Sequence, residues 1–285
     1  MLCQGKVNLF LKVTGKRPDG YHALETLFLP LPGEGDTLEF AEGDPGIRCT
    51  VEGTGEIPDN LVCRAAKRYA ELAEIRPAWD FTLAKRLPVA AGLGGGSSDA
   101  AGALLLLNRR YEVFSCEELA SMALTLGADV PFFLHSRPAW AEGIGEEFSF
   151  LDGVQKFPPV LVANPRFPVS ARWAYTHLAP ENIGPADGTQ KAALEKALLR
   201  GDWENVAANL HNDLGIALYR KFPVLKMMRE TMIAGGALNA EISGSGSSLF
   251  AVCASGEDCF RVQKALETQF GKEVLRILIF CGGRD

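Results

Sequence analysis

Four glycines fall within five residues in Leu87-Pro-Val-Ala-Ala-Gly-Leu-Gly-Gly-Gly-Ser-Ser-Asp-Ala-Ala101. A loop of this kind, set between a strand and a helix, can bring its backbone close to a ligand. It also aims several N–H groups and the positive end of the helix dipole at one point. That geometry suits an anion, most often phosphate, and Ser97 and Ser98 add hydroxyls for hydrogen bonding or a metal contact. Neither of the two commonest phosphate patterns fits. Walker A places Lys and then Ser/Thr after its last glycine, where Ser97-Ser98 stand, and the dinucleotide fingerprint needs glycine at 97. The competing reading is a tight turn whose glycines only permit close packing.

Two further constellations are weaker. Glu241-Ile-Ser-Gly-Ser-Gly-Ser-Ser-Leu-Phe250 is a second small-residue loop between strands. It has no G-x-S-x-G register for a nucleophile elbow, and it reads equally as a hairpin turn. Two glycine loops, one per half, suggest a nucleotide cleft at a domain junction. Lys6 and Asp129 form a possible cation–carboxylate pair. Each also has an ordinary reading, Lys6 as a solvated edge residue and Asp129 as a helix cap, and nothing internal to the sequence joins them.

The elements that must position these residues follow from periodicity. Lys6-Val-Asn-Leu-Phe-Leu-Lys-Val13 alternates as a strand, with Lys6 and Asn8 on the face opposite Val7, Leu9, Leu11 and Val13. The turn Gly15–Gly20 leads through Tyr21-His22 to a strand over Leu24–Leu31. Short strands are expected at Thr37–Phe40 and Ile47–Val51, then a helix from Asp59-Asn60 to Ala73 with Asp59 as its cap. A strand over Phe81–Leu87 precedes the glycine loop, and a helix over Ser98–Arg110 follows it. Ser115 with Glu118 makes a capping box for a helix ending at Gly127, and Asp129 or Val130 before Pro131 opens another. A hairpin covers Ala139–Leu151. The stretch 152–158 reads as a boundary dividing the chain into domains 1–155 and 156–285. Beyond it come a strand at Val160–Ala163 and helices at 170–178, 189–200, 202–211 and 222–234. Strands Glu241–Ser243, Leu249–Cys253 and Val274–Phe280, with a helix over Gly256–Phe270, complete an α+β pattern.

At 285 residues the chain has room for about two domains. Its 47% hydrophobic content excludes general disorder. A net charge of −6 excludes a nucleic-acid binder working through bulk positive charge. The local field differs, because residues 1–22 carry Lys6, Lys12, Lys16 and Arg17 against Asp19 alone, and Lys85-Arg86 precede the glycine loop. Seven cysteines without C-x-x-C, several in apolar runs, read as reduced, buried thiols in a cytosolic protein. The four scattered histidines offer no zinc spacing. No apolar stretch reaches a membrane span of ~18 residues, and the N-terminus does not read as a leader. The expected compartment is the cytoplasm.

Taken together, Gly5-Lys-Val-Asn-Leu9, Pro88–Ala101 and Ser243-Gly-Ser-Gly246 resemble the three signature motifs of the GHMP kinases. Within that superfamily, Arg17-Pro-Asp-Gly-Tyr-His22, Gly127-Ala-Asp-Val-Pro-Phe-Phe-Leu134 and Gly143-Ile-Gly-Glu146 are similar to the branch acting on a cytidyl-diphosphate methylerythritol. The resemblance runs from residue 5 to about residue 253. It implies the two-domain GHMP kinase fold, α+β, with an N-terminal ribosomal-protein-S5-like α/β domain and a C-terminal ferredoxin-like α/β sandwich. It implies ATP-dependent phosphorylation of the tertiary 2-hydroxyl of the methylerythritol part, with Asp129 as base and Lys6 as its partner. The triphosphate cradle would be Pro88, Val89, Ala90, Ala91, Gly92, Leu93, Gly94, Gly95, Gly96, Ser97 and Ser98, with Asn60 and Lys85 near the adenine. Asn8, Tyr21, His22 and Tyr175 would bind the substrate, the tyrosines stacking on cytosine and the histidine meeting its edge; packing tyrosines are the alternative.

ATP with Mg²⁺ is the implied cofactor, the ion bridging phosphate oxygens. The expected partner is the small-molecule substrate, with no nucleic acid and no membrane, the chain being a monomer or weak homodimer. Departures from the family pattern stand at Gly5, Ala171 and His135-Ser136. The rival readings are another GHMP kinase, of homoserine or mevalonate type, and a nucleotide-binding regulator without catalysis. The failed dinucleotide fingerprint disfavours a dehydrogenase.

Overall fold

The computed structural model describes residues 1–56 and 60–281. Two long strands come first, β1 (Leu2–Lys16) and β2 (His22–Glu42). Next are β3 (Gly46–Val51), β4 (Gly55–Glu56), α1 (Leu61–Ala73), β5 (Ala78–Ala84), α2 (Gly95–Tyr111), α3 (Cys116–Leu126) and α4 (Val130–Phe133). The hairpin β6 (Ala139–Glu142) and β7 (Glu147–Phe150) leads to β8 (Val160–Asn164). Four helices follow with a two-residue strand among them: α5 (Ala171–Thr176), α6 (Gly188–Arg200), α7 (Trp203–Ala208), β9 (His211–Asn212) and α8 (Gly215–Lys221). The chain closes with α9 (Pro223–Ala234), β10 (Asn239–Ile242), β11 (Leu249–Val252), α10 (Gly256–Phe270) and β12 (Arg276–Phe280).

Two compact units result. The first comprises Met1–Gly5, Glu34–Val89 and Gly94–Arg137, and the second Lys6–Gly33, Ala90–Leu93 and the chain from Pro138 onward. This division is interleaved, where a single cut after residue 155 was expected, because β1 and β2 each contribute residues to both units.

In the first unit β3 runs parallel to β5, and β5 pairs antiparallel with Thr37–Glu42 of β2. The expected cap Asp59 lies outside the described residues; Asn60 caps α1, its Oδ1 accepting the Cys63 N–H at 2.9 Å. The Ser115–Glu118 capping box on α3 is present as expected. Helix α2 buries Ala100, Ala101, Gly102, Ala103, Leu104 and Leu107, as suits a helix packed on several sides.

In the second unit β6 pairs with Thr26–Phe28 of β2, and Phe10-Leu11 of β1 lie parallel to β9. A separate four-stranded antiparallel sheet has the order β10-β11-β8-β12, and its inner strand β8 is buried along its whole length. Helices α9 and α10 pack on this sheet. Leu161, Leu225, Met228, Val262 and Leu266 meet in the resulting core.

Several elements differ from the expectation. The strands at 24–31 and 37–40 are one, because proline's fixed φ lies within the extended region and Gly33 absorbs the irregularity at φ 95°. Strand β5 ends at Ala84 rather than Leu87, because the Arg86 and Leu87 N–H groups bond to the Asp36 carboxylate. Helix α2 starts at Gly95, so Gly95 and Gly96 lie in its first turn. Helix α8 and the short strands β4 and β9 were not expected. None of the seven cysteines forms a disulfide, as expected, but Cys116 and Cys281 are exposed.

Candidate active site

Lys6 is not a solvated edge residue. It is 4% exposed, and its Nζ donates to Asn8 Oδ1 at 2.7 Å and lies 4.8 Å from the centre of the Phe28 ring. Asn8 Nδ2 donates to Thr26 Oγ1 at 2.8 Å, and that hydroxyl donates to the Phe10 carbonyl at 2.6 Å. Period two puts Lys6 and Asn8 on one face of β1, and the Asn8–Thr26 bond ties that face to β2. The relay is complete, each member passing its hydrogen bond to the next, which is how a buried polar chain avoids an unsatisfied group.

Lys6 stands beside both small-residue loops. The backbone N–H of Lys6 donates to Leu93 O at 2.9 Å, and Ser243 Oγ donates to Gly92 O at 2.9 Å. A Cβ on Gly92, whose φ is 78°, would sit 2.0 Å from Ser243 O, so only glycine fits there. A Cβ on Gly244 would meet Asn8 Oδ1 at 3.2 Å and Lys6 Nζ at 3.7 Å. Asn212 fixes the second loop, its Nδ2 donating to Ile242 O at 2.8 Å and to Gly244 O at 2.9 Å. The Ser243–Gly246 loop is therefore more than a hairpin turn. The Ser243 hydroxyl and, just beyond the loop, the Ser248 N–H hold the Gly92 and Ala91 carbonyls of the first.

Ala90, Gly92 and Gly94 all take positive φ, at 53°, 78° and 71°. Gly94 occupies the cap position of α2 without a side-chain cap, and no acidic residue sits in the helix's first turn. The first-turn N–H groups of a 17-residue helix are thus left for an anion. Val89 at the start of the turn is 76% exposed, and Ser98 is buried.

Lys85 has a different setting. Its Nζ pairs with Asp36 and, at 2.7 Å, with Asp99 Oδ2. Burial works against its charge, but the two carboxylates outweigh burial and hold the ammonium above the ordinary lysine range. Burial also pushes the Asp99 carboxyl up, to about 7, against the pull of Lys85 and with Asp36 adding to the rise. Asn60 beyond its capping bond has a buried Nδ2 without a hydrogen-bond partner.

Asp129 occupies the residue before α4, half-buried, and its side chain makes no capping hydrogen bond there. It belongs to the first unit and Lys6 to the second. Of the three expected base-binding residues, His22 and Tyr175 come together, their rings stacked at 5.5 Å and 20°. Tyr21 is 63% exposed. Burial, with Lys16 nearby, holds His22 below the ordinary histidine range, so its ring is neutral near pH 7 and has both a donor and an acceptor nitrogen. His22, Thr26 and Phe28 share one face of β2 by period two, and His22 lies roughly 13 Å along the strand from Thr26. Residues missed from the sequence are Asp36, Thr26 and Asn212. Each acts through a partner at least 18 positions away, and no local pattern marks it.

The family descriptions "GHMP kinases N terminal domain" and "GHMP kinases C terminal" match residues 60–137 and 194–272. The 4-diphosphocytidyl-2-C-methyl-D-erythritol kinase of Geobacter metallireducens is 38% identical over 258 residues, covering 89% of this chain and 88% of its own. That of Syntrophus aciditrophicus is 39% identical over 275 residues, covering 95% and 94%. A crystal structure of a 4-(cytidine 5'-diphospho)-2C-methyl-D-erythritol kinase, 36% identical, superposes with a TM-score of 0.84 over 100% of this chain and 99% of that one. Homoserine kinase from Cytophaga hutchinsonii, 20% identical, has a TM-score of 0.71 over 98% and 94%, a likeness of fold alone.

Proposed function

This chain belongs to the 4-diphosphocytidyl-2-C-methyl-D-erythritol kinases of the GHMP superfamily, and from that premise we propose how its own residues carry the transfer. It is an ATP-dependent phosphotransferase with an alcohol acceptor. The acceptor is the 2-hydroxyl of 4-diphosphocytidyl-2-C-methyl-D-erythritol, in the methylerythritol phosphate route to isoprenoid precursors.

Phosphoryl transfer has a loose transition state, so the protein's work is to position the reactants and offset charge. The backbone N–H groups of residues 92–98 and the uncapped start of α2 receive the phosphates, with Pro88–Ala91 forming the approach. Lys6, aimed by Asn8 and Thr26, attracts the transferred phosphoryl group and the developing alkoxide. Asp129 accepts the hydroxyl proton. His22 meets the polar edge of the cytosine while Tyr175 and Tyr21 supply flat surface. Asn60 and Lys85 lie on the adenine side. The observation that carries the reading is Lys6, a buried ammonium that donates to Asn8 Oδ1 and lies 3.7 Å from where a Cβ on Gly244 would stand, with its backbone N–H bonded to Leu93 O in the glycine turn.

Magnesium is part of the substrate, arriving on ATP. Among the described residues no group of three or more His, Cys, Asp or Glu could hold a metal ion. A magnesium ion carried on ATP takes most of its ligands from phosphate oxygens and water. Bound there, it would offset charge on the β- and γ-phosphates.

The test is incubation of the purified protein with magnesium, ATP and the cytidyl substrate, following ADP release and the ³¹P spectrum of the product. The expected result is a new phosphate monoester on that substrate, with homoserine and mevalonate left unreacted. Transfer to either of those instead, or ATP binding without transfer, contradicts the reading.

A further inference from the structure

The first unit holds an ionic cluster to which the transfer itself assigns no step. Asp36 on β2 has a fully buried side chain. Its Oδ1 accepts the N–H groups of Arg86, at 2.5 Å, and Leu87, at 2.8 Å, the residues leading from β5 into the glycine turn. Its Oδ2 receives Lys85 and lies 3.4 Å from where a Cβ on Gly95, the first residue of α2, would stand. Lys85 also reaches Asp99 on α2 at 2.7 Å. One carboxylate thus touches the entry of the turn directly and its exit through a lysine.

We propose that Asp36 is the positioning residue of the phosphate-holding turn, clamping its entry by two backbone bonds and its exit through Lys85 and Asp99, with a proton on Asp99 accompanying ATP binding. This rests on the reading of residues 88–98 as the phosphate cradle.

The charge balance explains the proton. With both carboxylates ionised, Asp36, Lys85 and Asp99 sum to one negative charge beside a turn that must hold a polyanion. With Asp99 protonated they sum to zero, so an arriving polyphosphate favours the protonated form. The groups facing Asp99 are Asp36 from β2, Lys85 after β5, the Cys3 thiol on β1 and Cys49 on β3. Cys3 is pushed up to about 12 by burial and by the two carboxylates, so it stays neutral. Asp99 Oδ1 is buried without a hydrogen-bond partner, so no donor supports the ionised carboxylate there.

Asp36→Ala, Asp36→Asn and Asp99→Asn test this by steady-state kinetics, with ATP-binding calorimetry at pH 7 in buffers of different ionisation heat. Asp36→Ala is expected to raise the KM for ATP roughly tenfold or more, since it strands two backbone N–H groups and a lysine. The KM for the cytidyl substrate and kcat at saturating ATP stay within about twofold. Asp36→Asn, which keeps an oxygen for Arg86 and Leu87, shows a smaller rise. Wild type takes up a fraction of a proton with ATP, and Asp99→Asn takes up none. Equal proton uptake in the two, or a loss in Asp36→Ala spread evenly over kcat and both KM values, overturns the proposal. If Asp36→Ala does not fold, the proton count on Asp99→Asn decides. A wild type that binds ATP with proton uptake but transfers nothing defeats the kinase reading alone; an active wild type with unshifted variants defeats the clamp alone.

Discussion

Lys85 in the first unit and Lys6 in the second are both drawn out of bulk water, and they are held in different ways. Lys85 lies between two carboxylates, one of which carries two backbone N–H groups as well. Lys6 donates to the oxygen of a neutral amide and lies against an aromatic face. A cation clamped by carboxylates has its charge committed to the fold, and removing it would leave buried charge behind. A relay of neutral groups fixes by hydrogen bonds where an ammonium points. The same residue type thus does structural work in one unit and is proposed for the transfer in the other.

The comparison breaks first at Asp129. Asp129→Asn is expected to lower turnover by roughly 10²–10⁴ while calorimetric ATP affinity holds, because it removes a proton acceptor and no phosphate contact. Unchanged turnover would remove the carboxylate from the reaction. Next, Asn8→Ala deprives Lys6 of an acceptor and Thr26 of a donor. The expected loss is about 1–3 kcal/mol, seen in kcat far more than in ATP binding. A loss confined to melting temperature would make the relay structural. Tyr175→Ala should raise the KM for the cytidyl substrate, a stacked base contributing ~1–3 kcal/mol, and spare ATP. Tyr21→Ala should do the same more weakly, since Tyr21 is 63% exposed and Tyr175 is already stacked on His22. Equal losses for both substrates would indicate misfolding instead.

The smallest effect concerns pH. The Asp99 carboxyl is raised, to about 7, chiefly by burial. The unfolded chain therefore loses this proton first as pH rises, and the group's contribution to stability falls between pH ~4 and ~7 and levels off above. Melting temperatures over that window should decline less in Asp99→Asn than in wild type. Identical slopes would mean Asp99 titrates as an ordinary carboxyl.

What could be read in advance was what depends on near neighbours. The capping box at Ser115 and Glu118 and the helix Gly256–Phe270 are local patterns, and both are present. That Lys6 and Asn8 share a face follows from strand alternation, and the glycine turn's place between a strand and a helix from its spacing. That β2 runs unbroken does not, because Pro30, Pro32 and Gly33 read as breakers while an extended strand accommodates them. Thr26 and Asp36 were illegible for another reason. Thr26 bonds across 18 positions and Asp36 across 49 to 51, and each is an unremarkable polar residue until its burial is known. Lys85 was legible only as a basic residue before a phosphate-type loop, since its sequence neighbours give no sign of the carboxylates that hold it.

The most direct measurement is the paired kinetics of Lys6→Met and Lys85→Met, with ATP affinity by calorimetry and melting temperature for each. The account predicts that Lys6→Met loses roughly 10² or more in kcat while binding ATP and melting near wild type. It predicts that Lys85→Met melts lower by a buried-pair loss of about 3–5 kcal/mol and binds ATP more weakly, yet keeps its kcat at saturation per folded molecule. Loss of the same kind at both lysines, or the two patterns exchanged, would contradict it.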